Sequence, residues 1–92
     1  LYGGTYRLFE EIYSPYGIEH NFVDTTEIDN ILDTIKENTK GIFIETPSNP
    51  MMKVTDLKRV VEIAKERNIV VIVDNTFLTP YFFRPIELGA DI

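Results

Sequence analysis

The hydrophobic positions in the first forty residues change their spacing from one segment to the next. Residues 5–13 carry apolar side chains at positions 8, 9, 12 and 13, which predicts a short helix that ends before Pro15. Residues 17–24 are apolar at 18, 22 and 23 and predict a strand. Residues 26–39 are apolar at 28, 31, 32 and 35, which is helical spacing, and Thr26 and Asp29 are placed like a capping box.

The rest of the chain predicts a strand, a crossover helix and a second strand. Residues 41–46 form an apolar strand, and a loop with two prolines follows it. Residues 55–68 are apolar at 57, 60, 61 and 64, with Thr55 positioned as the N-cap of the helix. Residues 69–74 form the second strand. Two apolar strands joined by a helix indicate a right-handed βαβ unit in a mostly parallel sheet with helices on both faces, so the predicted fold class is α/β.

Three segments are expected at the edge where ligands bind in such sheets, beyond the carboxyl ends of the strands. They are the loop after residues 41–46, the turn at 74–77 and the segment 23–26. Asp74 ends an apolar strand, where a carboxylate is costly unless it is paired. It either caps the following turn through a backbone N–H or faces a cationic group of a bound cofactor.

Other candidate side chains each have a structural and a functional interpretation. Asn49 lies between Pro47 and Pro50 as a turn residue, or as a hydrogen-bond donor to a ligand oxygen, and either X–Pro bond is a candidate for the cis form. Tyr2 precedes two glycines in an N-terminal turn, or it offers an aromatic face to a flat heterocycle. His20 is the only histidine and has no ligand-like partner nearby, so we predict no metal site.

Composition narrows the class of protein. A net charge of -6 argues against nucleic-acid or anionic-membrane partners. The absence of Cys excludes disulfides, thiolate zinc sites and a cysteine nucleophile. The longest apolar run, residues 69–73, is too short to cross a bilayer, and GxGxxG and P-loop signatures are absent. We expect a cytoplasmic protein of which these 92 residues are one piece, since they begin at Leu1 and end in an apolar stretch.

Three motifs in order, LYGGTYRLF, ETPSNP and VVIVDNTFLTPYFFRPIELGADI, resemble the pyridoxal-phosphate enzymes of cysteine and methionine metabolism. The resemblance covers all 92 residues. It implies that residues 1–92 are part of the large PLP-binding domain of a fold-type I enzyme. It also implies that Tyr2 stacks on the pyridine ring, that Asn49 lies near the 3-oxygen of the ring, that Asp74 meets the pyridine nitrogen and that Thr76 lies close to the ring.

The resemblance favours an activity of the cystathionine γ-synthase or γ-lyase type, which makes or breaks C–S bonds in trans-sulfuration. Methionine γ-lyase and O-acetylhomoserine sulfhydrylase are the alternatives within the family. Gly4 stands where methionine γ-lyases typically carry a cysteine, which counts against that subgroup. Arg7 resembles a basic group that binds the distal end of the substrate, or it is a surface arginine of the helix.

The resemblance places the Schiff-base lysine just beyond Ile92, so this piece alone is predicted to be inactive. None of the lysines in the chain lies in a matching motif; they are Lys36, Lys40, Lys53, Lys58 and Lys65. The family also implies a homotetramer built from dimers with shared active sites.

Two alternatives come from other classes of protein. A receiver-like phospho-acceptor domain also ends a strand with Asp, but it needs further clustered acids, and a dehalogenase-type phosphatase needs Asp where Asn75 stands. The other alternative is a fragment with no catalytic role.

Overall fold

Two parallel strands joined by a helix form the centre of the structure, a computed structural model that describes residues 1–92. Strand β1 spans Gly41–Glu45, helix α3 spans Leu57–Glu66, and strand β2 spans Val70–Asp74. The strands pair in parallel from Gly41 opposite Val70 to Glu45 opposite Asp74. The predicted βαβ connection and parallel sheet are therefore confirmed.

One face of this sheet carries the hydrophobic core. Because side chains alternate along a strand and register partners share a face, Ile44 and Val71 point to the same side, where both are buried. Helix α3 covers that side with its apolar stripe, and α2, which spans Ile28–Thr34, adds Ile31. The buried cluster consists of Ile31, Ile44, Leu57, Val60, Val61, Ala64, Ile69, Val71 and Ala90.

The opposite face of the sheet is covered by the N-terminal helix. Helix α1 spans Gly3–Arg7 and continues as a π-helical segment over Leu8–Tyr13. Phe9 of that segment packs edge-on against Phe43 of β1, with their ring centroids 5.6 Å apart. Helices therefore lie on both faces, as predicted. None of the helices is long and apolar enough to cross a membrane.

The predicted strand over residues 17–24 is wrong. A 3-10 turn at Ser14–Tyr16 ends at Gly17, whose φ of 82° is left-handed, and no backbone–backbone hydrogen bond involves residues 19–24. The apolar side chains of this segment pack locally instead, since the rings of Phe22 and Tyr6 lie 4.7 Å apart. The hydrophobic pattern that predicted a strand reflects side-chain packing against the N-terminal helix without a strand ladder.

Both predicted helix caps are wrong because each threonine hydroxyl binds a side chain outside its own helix. The amide and hydroxyl of Thr26 donate to Asp24 two residues earlier, and α2 begins only at Ile28 without a side-chain cap. Helix α3 is capped by Asp56, whose Oδ1 accepts from Arg59 N at 3.1 Å. Thr55 is buried, and its hydroxyl pairs with that of Thr25 at 2.6 Å.

The segment after β2 returns along the sheet. Helix α4 spans Thr79–Phe82, and a 3-10 turn over Pro85–Leu88 ends at Gly89. Val73 N then donates to the Ile92 carbonyl at 2.9 Å, which extends the hydrogen bonding of the sheet beyond β2.

Gly89 and Gly17 provide a matched stability test. Both have positive φ, 101° and 82°, but a Cβ at Gly89 would lie 2.9 Å from Val61 Cγ1 and 2.6 Å from Lys65 Nζ, whereas a Cβ at Gly17 meets nothing within 4 Å. We expect Gly17→Ala to destabilise the full-length protein by about 1 kcal/mol through backbone strain. Gly89→Ala should cost about 2–4 kcal/mol, since the steric clash is added to that strain.

The measurement is the midpoint and slope of urea unfolding of the two variants and the parent protein. Equal losses for the two variants would show that the contact between Gly89 and α3 does not matter.

Candidate functional site

The carboxyl ends of β1 and β2 place two carboxylates next to each other. Glu45 and Asp74 are register partners, so both project from the sheet face that the N-terminal helix covers. Asp74 is half-buried. Its Oδ1 accepts hydrogen bonds from the amide of Thr76 at 3.0 Å and from the Thr76 hydroxyl, while Oδ2 has no partner within the chain. Asp74 thus caps the turn with one oxygen and leaves the other free for a ligand.

Glu45 connects Tyr2 and Asn49, which are distant from each other in the sequence. Its Oε2 accepts from Tyr2 N at 2.7 Å, and its Oε1 accepts from Asn49 N at 2.9 Å. The Glu45 side chain is only 10% exposed, so both oxygens are satisfied mainly by these amides. Sequence reasoning did not single out Glu45. The signal was present, because Glu45 ends its apolar strand just as Asp74 ends the next one.

The side chains of Tyr2 and Asn49 remain available to a ligand. Tyr2 is 59% exposed, and it lies beside Gly4, at which a Cβ would be 3.7 Å from Tyr2 Cδ1. The Asn49 side-chain amide makes no hydrogen bond in the chain, and the Asn49–Pro50 bond is cis, as is Thr46–Pro47. The structure therefore brings Tyr2, Asn49 and Asp74 to one edge of the sheet through Glu45 and the strand register.

Thr76 and Arg7 occupy different surroundings. Thr76 is exposed immediately after β2 and hydrogen-bonds to Asp74. Arg7 is exposed in the last turn of α1 and has no ion pair, and no hydrogen bond connects it to Glu45 or Asp74. The arginine is free to bind an anion but is not tied to the carboxylate pair.

The segment at 23–26 is joined to the loop after β1 by polar contacts. Besides the pair of threonine hydroxyls, Thr55 N donates to Thr46 Oγ1 at 3.1 Å, directly after Glu45. Asp24 forms an ion pair with Lys53. Hydrogen bonds from Lys53 and Thr26 lower the pKa of Asp24 to about 2. These contacts hold the third predicted segment against the same loop.

The chemistry of these groups fits a flat cationic heterocycle that bears an oxygen. An exposed aromatic ring can stack on it, an unpaired amide can donate to its oxygen, and the free Oδ2 of Asp74 can accept from a protonated ring nitrogen. The pyridine ring of pyridoxal phosphate has all three features. Residues 1–92 thus carry side chains that suit this cofactor at one edge of the sheet.

Comparison with known proteins identifies the family. The sequence model of the family described as Cys/Met metabolism PLP-dependent enzyme matches residues 1–92, and the chain belongs to this family of enzymes. Pyridoxal phosphate is the cofactor of the family, as the motifs indicated. Neither the receiver-like nor the phosphatase alternative gains support.

Curated relatives cover the whole chain. A cystathionine gamma-lyase of Bacillus subtilis (strain 168) is 51% identical over 92 residues, which are 100% of this chain and 24% of that protein. A cystathionine gamma-synthase/O-acetylhomoserine (thiol)-lyase of the same strain is 49% identical over 100% of this chain and 25% of that protein. The chain spans about a quarter of the length of these relatives.

Solved structures show the same fold. The crystal structure of cystathionine gamma-lyase from Lactobacillus plantarum complexed with L-serine matches with a TM-score of 0.97 and 36% identity, over 99% of this chain and 24% of that one. The structure of metB from Corynebacterium glutamicum matches with a TM-score of 0.93 and 43% identity, over 97% and 23%. The predicted α/β class is confirmed.

We expect the ion pair between Asp24 and Lys53 to make the stability of the fold depend on pH. Because its folded pKa is lowered from 3.8 to about 2, Asp24 contributes stability that is fully present above 3.8 and is lost as the pH falls towards 2. Lys53→Gln removes the main cause of the shift. The melting temperature of the full-length variant should therefore lie below that of the parent at about pH 5, and the gap should narrow at about pH 3.

Thermal unfolding followed by circular dichroism at several pH values measures this gap. Lys58→Gln, which removes a lysine without an ion pair, is the control. A gap for Lys53→Gln that is constant over this range would contradict the assigned coupling.

Proposed function

We propose that the full-length protein is a PLP-dependent enzyme of sulfur amino acid metabolism that makes or breaks the C–S bond of cystathionine. The observation that carries this proposal is the free Oδ2 of Asp74, at the sheet edge that also holds Tyr2 and Asn49. The names of relatives at 49–51% identity, gamma-lyase and gamma-synthase, support the substrate class.

Each proposed cofactor-binding residue has one physical task. The Tyr2 ring stacks on the flat ring of the cofactor, and the Asn49 amide donates to its oxygen. Asp74, as an ionised carboxylate, keeps a proton on the ring nitrogen, because the ion pair is stronger in a partly desolvated site. Bound pyridoxal phosphate supplies an electron sink for the electrons left when the Cα proton of the substrate departs.

Thr76 is proposed to orient Asp74. Its amide and hydroxyl both bind Oδ1, which fixes the carboxylate plane and leaves Oδ2 as the oxygen that meets the ring. A capping interaction and the proposed cofactor contact can therefore coexist on one carboxylate.

Two further residues bear on the substrate and on the choice of activity within the family. The exposed guanidinium of Arg7 has no ion pair, so it is available to a carboxylate at the distal end of the substrate. Gly4 continues to count against a methionine γ-lyase. The second candidate activity is that of an O-acetylhomoserine sulfhydrylase, since one relative carries the name O-acetylhomoserine (thiol)-lyase together with gamma-synthase.

The Schiff-base lysine is proposed to lie outside these 92 residues, so the piece alone is inactive. Lys53 is paired with Asp24, and Lys58 and Lys65 belong to α3, which packs on the other face of the sheet. Residues 1–92 then form part of the large PLP-binding domain. From the family resemblance we also propose a cytoplasmic homotetramer with active sites shared within dimers, serving methionine biosynthesis or cysteine metabolism.

Asp74→Asn tests the proposed function. In the full-length enzyme the variant should still bind pyridoxal phosphate but lose turnover of cystathionine by a factor on the order of 100 or more, because a neutral amide does not hold the ring nitrogen protonated. Steady-state kinetics at saturating cofactor measures the loss. Asp29→Asn, on the exposed side of α2, is the matched control. Near-normal turnover of cofactor-loaded Asp74→Asn would refute the role.

Tyr2 substitutions test the stacking role. Tyr2→Phe keeps the ring and should retain cofactor affinity within about threefold, whereas Tyr2→Ala should weaken it about tenfold or more through lost stacking and buried area. Titration of the full-length apoenzyme with pyridoxal phosphate measures both. Equal affinities of the Phe and Ala variants would show that the ring makes no contact.

A further inference from the structure

Glu45 has no assigned task, yet it makes two strong main-chain contacts at the proposed site. Its carboxylate is nearly buried, which is unfavourable for a charge unless hydrogen bonds compensate for the lost water. Both oxygens find such partners, Tyr2 N at 2.7 Å and Asn49 N at 2.9 Å. Bonds of amides to a charged carboxylate are stronger than those between neutral groups. A carboxylate that is unfavourable to bury thus connects two distant segments of the chain.

The two contacts act on the backbone and leave the side chains free. The Tyr2 ring stays exposed and the Asn49 side-chain amide stays unpaired. The backbone N–H groups of both residues are bound to the same carboxylate. Tyr2 lies 43 positions before Glu45, and its N–H has no other partner. Without Glu45, no hydrogen bond holds the amide of Tyr2 next to the loop that contains Asn49.

The strand register connects this arrangement to Asp74. Glu45 is the last residue of β1, and backbone hydrogen bonds to β2 fix its place opposite Asp74. Tyr2, Asn49 and Asp74 come from three separate segments. The strand register places Asp74, and the Glu45 side chain places Tyr2 and Asn49 relative to it, which is how a site becomes organised before its ligand binds.

We propose that Glu45 is a positioning residue of the cofactor site, which holds the main chains of Tyr2 and Asn49 in register with Asp74. This inference rests on the proposed function. Glu45 itself does not touch the reacting atoms, since both its oxygens are taken by amides. Its replacement leaves Tyr2 free to move, so that cofactor binding has to order the segment again, which weakens affinity.

The test uses the full-length enzyme with Glu45→Gln, which keeps the size of the side chain but offers only one acceptor atom for the two amides. Affinity of the apoenzyme for pyridoxal phosphate should fall about tenfold to a hundredfold. The visible circular dichroism of the bound cofactor at saturation should also fall, because the ring is held less uniformly. Glu62→Gln on the exposed side of α3, where Glu62 pairs with Arg59, is the control and should change neither.

A double-mutant cycle separates positioning from general destabilisation. If Glu45 acts through Tyr2, then Glu45→Gln should weaken cofactor affinity less in the Tyr2→Ala background than in the parent. An equal loss in both backgrounds, or parent-like affinity and dichroism of Glu45→Gln, overturns the proposal. If Glu45→Gln does not fold, Glu45→Asp takes its place in the cycle, since it keeps the charge but shortens the reach.

The parent protein distinguishes failure of this inference from failure of the proposed function. If the full-length parent does not bind pyridoxal phosphate, the proposed function fails and the positioning role fails with it. If the parent binds and the Glu45 variants bind equally well, only the positioning role is wrong.

Discussion

The register of two parallel strands determines where the chemistry of this chain can take place. Pairing Glu45 with Asp74 puts two acids side by side at the carboxyl edge of the sheet, an arrangement that is unfavourable for like charges unless each has its own partners. The partners are present: two backbone amides bind Glu45, and the amide and hydroxyl of Thr76 bind Asp74. A slip of one residue would turn one of these carboxylates toward the hydrophobic core.

The buried face of the sheet maintains this register. Ile44 and Val71 precede the edge and are almost fully enclosed by α3 and α2. Burial of such side chains contributes roughly 1.5–3 kcal/mol each, so apolar packing on this face holds the strands. Glu45 and Asp74 end the strands on the opposite face, beyond the contact between Phe9 and Phe43. The sheet face that packs on α3 therefore stabilises the fold, while Asp74 and Asn49 keep unpaired polar atoms at the carboxyl edge of the sheet.

Sequence patterns predicted the parts of the fold that depend on buried periodicity. Strands β1 and β2, helix α3 and their parallel pairing follow from continuous apolar runs and a single helical stripe. The strand predicted over residues 17–24 is absent because an apolar pattern does not reveal whether a segment finds hydrogen-bond partners for its backbone. The predicted cap of α2 is absent because the Thr26 hydroxyl donates to Asp24 instead. The cap of α3 is Asp56, which lies one residue nearer to the helix than the predicted Thr55.

Local sequence patterns predicted only part of the candidate site. Asp74 was indicated by a charge at the end of an apolar strand, and the family motifs indicated Tyr2, Asn49 and Thr76. The role of Glu45 needs distances between segments 43 positions apart, which no local pattern contains. Its link to Tyr2 and Asn49 became visible only in three dimensions.

The protonation state of the cofactor ring nitrogen tests the central electrostatic claim most directly. Nitrogen-15 magnetic resonance of the full-length protein, reconstituted with pyridoxal phosphate labelled at that nitrogen, reports it without reference to activity. The account predicts a protonated nitrogen in the parent protein at neutral pH and an unprotonated one in Asp74→Asn. An unprotonated nitrogen in the parent, or the same protonated signal in both proteins, would contradict it.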